Sequence, residues 1–423
     1  MTAGRGATVR MMAPTLALLA GLLVVAGMWG GGAHEAYFAL LRLLGVPAFR
    51  FPFLDTDAIL AVLECHWRGI DVYVVNPCDV LGRMHVYTPL WFPFDALPID
   101  TSWTPVVGCA LALVFAISLL PLPPARDWRA TGLMCAAALS PAVAFAIERG
   151  NADLLMFVLA ALAGRLAVRR LPTRLLAFPI VVLATMLKVY PVTLLVLALR
   201  ERLAICLAIT AISLAALLAY AAIDAAGLRE MLALVPVGTP FIYAFGAADL
   251  AVGLRTIFGL PPVALAIVHA VPLVAIVIFV ASRLHLLHST VDALSPAEAV
   301  YLLVGAVLIL GCFVTGQSGE YRAVHLLFVL PAVTALAGLP GPARRVATFT
   351  TRIILLQLWG DVASARLVEL TTTARGDAAI ACATLMLWLT RELAWWWTIT
   401  MLLALLLAIV RDLPSFAALR GRR

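Results

Sequence analysis

The chain is organised around residues 51–91, FPFLDTDAILAVLECHWRGIDVYVVNPCDVLGRMHVYTPLW. This is the longest run that does not read as membrane-spanning, because charged side chains and two histidines interrupt its apolar residues. Long apolar stretches lie on both sides of it. The pattern predicts a large hydrophilic loop between membrane helices.

The composition is that of a membrane protein, with 64% hydrophobic and only 13% charged residues among 423. A soluble domain carries about 25% charged residues. Apolar runs of about 17–25 residues, long enough to cross a bilayer, recur along the whole chain. We therefore predict an all-α, polytopic membrane protein of about twelve transmembrane helices, folded as a single domain over residues 1–423. The net charge of +7 comes mostly from arginines in short loops, without the interleaved aromatics of a nucleic-acid surface.

The arginines also predict the orientation, because cytoplasmic loops carry an excess of positive charge. Arg5 and Arg10 place the N-terminus in the cytoplasm, so 31–104 becomes the first extracytoplasmic loop, with a short amphipathic helix at 35–48. The run 11–30 is longer than the apolar region of a signal peptide, about 7–15 residues, which favours an uncleaved helix. The spans are predicted at about 11–30, 105–124, 131–147, 152–168, two halves of 175–199, 203–222, 263–281, 298–314, 323–339, 346–359 and 393–410.

Residues 175–199 decide the topology, because they form either one span or two short helices that meet at Lys188-Val189-Tyr190-Pro191. Proline disfavours helical geometry in the preceding residue and begins a helix well. Two helices also place the later arginines inside, namely Arg200, Arg202, Arg283, Arg344, Arg345, Arg420, Arg422 and Arg423. We therefore predict a broken hairpin, both termini in the cytoplasm, and outer segments at 223–262 and about 360–392. The helices within 341–423 have no role assigned from sequence.

Four polar clusters then share the outer face: Asp55 with Asp57, Glu148–Asp153, Lys188, and Glu320–Arg322. Ionisable groups near a bilayer cost free energy, about 3 kcal/mol at its centre on insertion scales. Cations at three separate hairpin tips indicate a bound anion, and a phosphate is the natural candidate. The alternative is that these are ordinary loop cations that pair with neighbouring carboxylates.

Asp55 and Asp57 are the candidate bases of the loop. In an extended segment they share a face, whereas in a helix they do not. Asp57 suits the N-cap of a helix over Ala58–Trp67, and Asp55 suits a general base; both could also be caps. Cys65 and Cys78 are the two cysteines of the loop and can close a disulfide in an oxidising compartment. The seven histidines, including His285 and His288 in a predicted inner loop, show no metal spacing, and no nucleotide-binding or serine-hydrolase motif is present.

The pattern resembles the GT-C superfamily of integral-membrane glycosyltransferases, in particular glycosyltransferase family 87, the polyprenol-phosphate-mannose-dependent type. The similar features are the acidic first loop from Leu54-Asp55, residues 68–77 (RGIDVYVVNP), residues 148–153 (ERGNAD), Leu187–Pro191 and Glu320–Arg322. Together they cover most of residues 10–340.

The resemblance implies transfer of a hexose or pentose from a polyprenyl-phosphate sugar to a glycolipid or glycan, with inversion, on the outer face of the plasma membrane. The polyprenyl-phosphate sugar is the donor substrate, and neither a cofactor nor a metal site is predicted from the sequence. Asp55 matches the catalytic aspartate, with Asp57 as the second candidate. The implied donor-phosphate ligands are Lys188, Arg322, Arg149 and Tyr321, and the implied supporting residues are Glu148, Asn151, Asp153, Glu320, Asn76 and Tyr87. Three alternatives stay open: a transporter or flippase of a lipid-linked glycan, a ligase or polymerase of lipid-linked oligosaccharide, and a structural membrane subunit.

Overall fold

The computed structural model describes residues 2–235, 238–373 and 378–419, whose regular structure is almost entirely helical. The all-α prediction is thereby confirmed. In chain order the α-helices are α1 (Thr2–Gly30), α2 (His34–Leu43), α3 (Leu54–Trp67), α4 (Thr104–Ile117), α5 (Trp128–Ala138), α6 (Pro141–Arg149), α7 (Ala152–Ala167), α8 (Leu171–Leu175), α9 (Ala177–Leu187), α10 (Leu203–Ile223), α11 (Ala225–Leu234), α12 (Asp249–Phe258), α13 (Pro262–Val291), α14 (Pro296–Val314), α15 (Leu326–Ala337), α16 (Pro342–Thr373), α17 (Ala378–Val410) and α18 (Pro414–Leu419).

Shorter elements connect these helices. The 3-10 helices are Pro89–Ala96, Thr101–Trp103, Tyr190–Arg200 and Glu320–His325. Strands β1 (Ala244–Phe245) and β2 (Ser318–Gly319) pair antiparallel, with Ala244 opposite Gly319 and Phe245 opposite Ser318. Each strand is two residues long, so the pair joins two loops and forms no sheet core.

The described chain divides into two compact units, each built from three stretches. The first unit takes residues 2–48, 122–145 and the described part of 238–413, and the second takes 49–121, 146–235 and 414–419. Both units are therefore assembled from segments that are distant in sequence.

Seven helices of the described residues are long and apolar enough to cross a membrane. They are Gly6–Gly30, Trp128–Arg149, Leu203–Ile223, Pro262–Ser282, Pro296–Val314, Glu320–Ala337 and Ala381–Val410. An eighth results if Pro89–Ala96 and Thr101–Ile117, which bend by 96°, are taken as one span. Two of these helices are hardly covered by the rest of the protein. In their apolar stretches, only 11% of Leu203–Ile223 and 6% of Pro262–Ser282 is buried. Helices with so much exposed apolar surface are expected to face lipid.

The predicted count of twelve spans is therefore not confirmed, because only seven or eight of the described helices are long and apolar enough to cross a membrane. Most of the predicted helices are nevertheless present. The two halves of 175–199 exist as short apolar helices, and the break falls where it was predicted, because α9 ends at Leu187 and the next helix begins at Tyr190. Helix α7 has only 16 residues, and α16 is not apolar enough to be counted among the membrane-length helices.

Two loop predictions are wrong. The segment 360–392 is mainly helical, because α16 continues to Thr373 and α17 begins at Ala378. The predicted inner loop around Arg283 is part of α13, which runs on to Val291. Residues 223–262 contain α11, β1 and α12, and they lie between the candidate spans Leu203–Ile223 and Pro262–Ser282, as predicted. Arg420, Arg422 and Arg423 lie outside the described residues.

Helices α14 and α15 contribute to the core of the first unit, and most of their residues are buried. Gly305 allows their close approach, because a Cβ there would lie 2.7 Å from Cγ2 of Val329 and 2.9 Å from Cβ of Phe328. Helix α14 begins with a capping box in which Ser295 and Glu298 satisfy each other's backbone N–H groups.

Candidate functional site

The hydrophilic segment of the second unit is organised by α3, which begins at Leu54. Phe53 precedes it in the left-handed conformation (φ 69°) and donates its N–H to the carbonyl of Glu148 at 2.5 Å. The Thr56 hydroxyl donates to the carbonyl of Gly150 at 2.7 Å. These bonds attach the start of α3 to the turn between α6 and α7. Asp55 therefore lies beside the residues of 148–153.

Asp55 accepts hydrogen bonds from two arginines and an asparagine. The Arg149 Nη2 atom lies 2.7 Å from Oδ1 of Asp55, and Arg83 Nη1 lies 3.2 Å from the same oxygen. The other oxygen, Oδ2, accepts from Asn151 Nδ2 at 2.7 Å. Asp55 is 8% exposed, so these contacts replace most of its hydration. The arrangement holds the carboxylate in one orientation.

Arg83 was not singled out from the sequence, although it contacts the same oxygen of Asp55 as Arg149 does. It makes a two-pronged pair with Asp79, with Nη2 to Oδ1 at 2.8 Å and Nε to Oδ2 at 3.0 Å, and it donates to the carbonyl of Leu54 at 2.8 Å. Burial alone would raise the pKa of Asp79, but the hydrogen bonds and charge of Arg83 hold it below its ordinary value. Asn76 Nδ2 donates to the carbonyl of Arg83 at 3.0 Å. Asp79 and Asn76 thus fix the arginine that faces Asp55.

Asp57 points away from Asp55, because both residues lie in helix α3, where side chains two residues apart do not share a face. Its Oδ1 accepts from the Thr104 hydroxyl at 3.0 Å, and the residue is 7% exposed. Burial raises the pKa of Asp57 above its ordinary value, although the Thr104 hydrogen bond acts in the opposite direction. The predicted cap role for either aspartate is wrong, because α3 begins before both of them and its cap residue, Phe53, offers no side-chain cap. Both carboxylates lie in the first turn, where the helix dipole stabilises negative charge.

A second polar group lies in the same unit. Lys188 Nζ lies 2.7 Å from Oδ2 of Asp153, and the Tyr190 hydroxyl donates to Oδ1 of Asp153 at 2.7 Å. The ammonium of Lys188 also lies 5.2 Å from the centroid of the Tyr87 ring. This group is buried, because Asp153 is 0% and Lys188 9% exposed. Lys188 is available at this place because α9 ends one residue before it.

Asn151 connects the two polar groups. Its side-chain oxygen caps α7 by accepting from the N–H of Asp153 at 2.9 Å, while its amide donates to Asp55. Residues 148–153 therefore contribute to both polar groups. Arg149 and Asn151 donate hydrogen bonds to Asp55, and Asp153 provides the carboxylate that contacts Lys188. Glu148 lies in the same turn and is 4% exposed.

Glu320, Tyr321 and Arg322 belong to the first unit. Arg322 Nη1 donates to the Ser318 hydroxyl at 2.7 Å, and the Tyr321 ring centroid lies 5.7 Å from that of Phe145. Glu320 is 1% exposed, and its N–H donates to the carbonyl of Tyr243 at 2.9 Å. These residues begin the candidate span Glu320–Ala337.

Cys65 and Cys78 form a disulfide, as the sequence indicated, with Cα atoms 5.8 Å apart. Cys65 packs with Val62 and Val72 in a small apolar cluster. The bond ties α3 to the following loop, which contains Asp79 and Arg83. No cluster of three or more His, Cys, Asp or Glu within the described residues is arranged to hold a metal ion.

The helices and their apolar surfaces define an all-α protein of the multi-pass membrane class. Comparison of the chain with protein-family models, curated proteins and solved structures finds no match. Its function is therefore inferred from its own residues.

Proposed function

We propose that this protein is an integral-membrane glycosyltransferase that moves a hexose, mannose-like, or a pentose from a polyprenyl-phosphate sugar to a glycolipid or glycan acceptor. The observation that carries the proposal is the orientation of Asp55 by Arg83, Arg149 and Asn151 in a hydrophilic segment between membrane-length helices. The Cys65–Cys78 disulfide supports an extracytoplasmic, oxidising location for that segment. The proposed site is on the outer face of the plasma membrane.

The reaction needs a base, and Asp55 is the proposed one. The acceptor hydroxyl gives its proton to the carboxylate as its oxygen attacks the anomeric carbon of the sugar. The bond from that carbon to the phosphate oxygen breaks at the same time, so the configuration inverts and the lipid phosphate leaves. A base with a fixed orientation typically contributes 10²–10⁴-fold to such a step. Arg83, Arg149 and Asn151 act as positioning residues, because they contact Asp55 directly.

The leaving lipid phosphate needs cations, because negative charge develops on it in the transition state. Lys188 and Arg149, which both belong to the second unit, are the proposed ligands. Asp153 holds the ammonium of Lys188 in place, so the cation has a fixed position in the second unit. Arg149 binds Asp55 through Nη2, and its Nε has no hydrogen-bond partner among the described residues. The prenyl chain needs no pocket of polar residues, because it lies in the bilayer.

The experiment is transfer of label from a panel of polyprenyl-phosphate sugars to extracted cell-envelope lipids, in membranes that contain the protein. The wild type is compared with Asp55→Asn and with Asp100→Asn. Asp100 is a matched control, because it is an exposed aspartate of the same segment that caps a short helix, a role that asparagine also fills. Transfer that is lost in Asp55→Asn and kept in Asp100→Asn supports the proposal. No transfer from any donor by the wild type contradicts it.

A transporter of lipid-linked glycans is the second candidate, and one feature of the first unit favours it. Asp249, Glu320, Asp361 and Glu392 are each at most 5% exposed, and Arg391 pairs with Asp361 at 3.5 Å. Buried carboxyl groups among membrane helices commonly take up protons in pumps and transporters. Burial raises the pKa of Asp249 to about 7, although Gln317 donates a hydrogen bond to it. Movement of a labelled glycolipid across vesicles without any change of its sugar would favour transport over transfer.

A further inference from the structure

A cavity of about 350 Å³, lined by both charged and apolar residues, lies in the first unit beside the end of α2. Its charged wall is formed by Arg42 of α2 and by Arg366 and Glu369 of α16, and Tyr243 lines it as well. Its apolar wall is formed by Phe38 and by Val46-Pro47-Ala48. The volume is within the range of ligand sites, about 300–1,000 Å³. None of the described residues that orient Asp55 lines it.

The position of α2 indicates a location of this cavity near a membrane surface. Helix α2 begins four residues after α1 ends at Gly30, and Gly6–Gly30 is long and apolar enough to cross a bilayer. Helix α2 buries Tyr37 and Leu41 against the protein but leaves Leu43 62% exposed. An amphipathic helix with an exposed leucine and arginine in its last turn is suited to the layer where headgroups meet acyl chains.

Two residues in the left-handed conformation, Gly45 and Tyr243, line the cavity. Gly45 adopts a left-handed conformation (φ 68°), and a Cβ there would lie 2.7 Å from the carbonyl oxygen of Asp361. Tyr243 is also left-handed (φ 58°), which is rare for a residue with a side chain, and its hydroxyl donates to the carbonyl of Gly45 at 2.7 Å. Backbone strain of this kind clusters at binding sites, because the surrounding structure must hold it in place.

The charges of the cavity define the ligand. Arg366 and Glu369 pair at 2.9 Å, with side chains 44% and 62% exposed. So exposed a pair contributes little stability, and a ligand can therefore replace it at little cost. Arg42 adds a further cation, so the cavity presents two guanidinium groups and one carboxylate. A phosphate matches the guanidinium groups, and an ammonium matches the carboxylate.

We propose that this cavity binds the headgroup of an aminophospholipid, with its phosphodiester on Arg42 and Arg366 and its ammonium on Glu369. The glycerol and the first part of the acyl chains lie against Phe38 and Val46–Ala48. The site is independent of the proposed transfer reaction, because it requires only a lipid of the surrounding bilayer.

The test is native mass spectrometry of the full chain, purified in detergent and titrated with phosphatidylethanolamine, phosphatidylglycerol, phosphatidylcholine or soluble phosphoethanolamine. We expect phosphatidylethanolamine to bind at least about 10-fold more tightly than the other two lipids and than free phosphoethanolamine. Arg42→Gln should weaken its binding about 10-fold or more, since a charged hydrogen bond is lost. Glu369→Gln should remove the preference over phosphatidylglycerol.

Arg255→Gln is the matched control, because Arg255 is also exposed and also in the last turn of a ten-residue helix of this unit. It should leave binding unchanged. Equal binding of the three lipids overturns the proposal, and so does binding that Arg42→Gln leaves intact. Binding of phosphoethanolamine as tight as that of the lipid also overturns it, because the site would then take a free phosphate. All variants are compared only where their melting temperatures match the wild type.

Discussion

Asn151 donates a hydrogen bond to Asp55 at 2.7 Å across 96 residues of sequence. The same side chain accepts from the N–H of Asp153, whose carboxylate binds Lys188 and Tyr190. Asn151 therefore contacts both the proposed base, Asp55, and the backbone of Asp153, the residue that binds Lys188. The NH₂ group of Asn151 donates and its side-chain oxygen accepts. An aspartate at this position would have no donor and would place a second carboxylate against that of Asp55.

Asp55→Asn is predicted to lower transfer by at least about 10², because the proton acceptor is lost. Asp57→Asn should lower it less, since Asp57 contacts Thr104 and lies on a different side of α3 from Asp55. Initial rates of sugar transfer, normalised to the amount of folded protein, measure both effects. Loss of transfer in Asp57→Asn alone would assign the base to Asp57.

Lys188→Met is predicted to lower kcat or raise the KM for the donor by about 10-fold or more. It also leaves Asp153 buried without its cation, which costs about 3–5 kcal/mol of stability. The double variant Lys188→Met/Asp153→Asn should regain stability, because the unpaired charge is removed, but it should not regain transfer. If the double variant transfers sugar as the wild type does, Lys188 serves only to pair with Asp153.

Replacement of Cys65 and Cys78 by alanine is predicted to destabilise the protein by roughly 3 kcal/mol, on the chain-entropy model for a loop of this length. The sequence separation is 13 residues. Thermal melting in detergent measures the effect, and reductant should lower the melting temperature of the wild type in the same way. Cys109→Ala, at an exposed free thiol, is the control. A wild type that melts at the same temperature with and without reductant would contradict the prediction.

His85 is predicted to make stability depend on pH between about 4 and 6.5. It is 2% exposed, and burial lowers its pKa to about 4. The hydrogen bond to the carbonyl of Thr88 raises the pKa, but by less than burial lowers it. Below pH 6.5 the unfolded chain binds a proton that the folded chain does not, so stability falls as the pH falls, by up to about 3 kcal/mol at pH 4. The raised pKa of Asp57 acts in the opposite sense.

The contribution of His85 is isolated by comparison with His85→Gln, which has no titrating ring. Melting temperatures of both proteins between pH 4 and 7 give the measurement. The wild type should lose stability towards pH 4 more steeply than the variant. Parallel curves would show that the ring is charged in the folded state as readily as in the unfolded one.

Several features were predictable because they depend on neighbouring residues. Long apolar runs determine a helical membrane protein, since the bilayer leaves backbone groups no other partners. The break between α9 and the next helix follows from Pro191, which removes an N–H and restricts Tyr190. The Cys65–Cys78 bond was predictable because these are the two thiols of the loop.

Other features depend on where the chain returns in space, and only the tertiary structure decided them. Asp55 meets Arg149 across 94 residues and Arg83 across 28, and nothing in the local pattern of Arg83 distinguishes it from an ordinary loop cation. Likewise α16 continues through charged residues to Thr373, because α15 and α17 pack along it and Arg391 pairs with Asp361. Hydropathy counts each charge as a cost, whereas the folded chain offsets that cost with a partner that is distant in sequence.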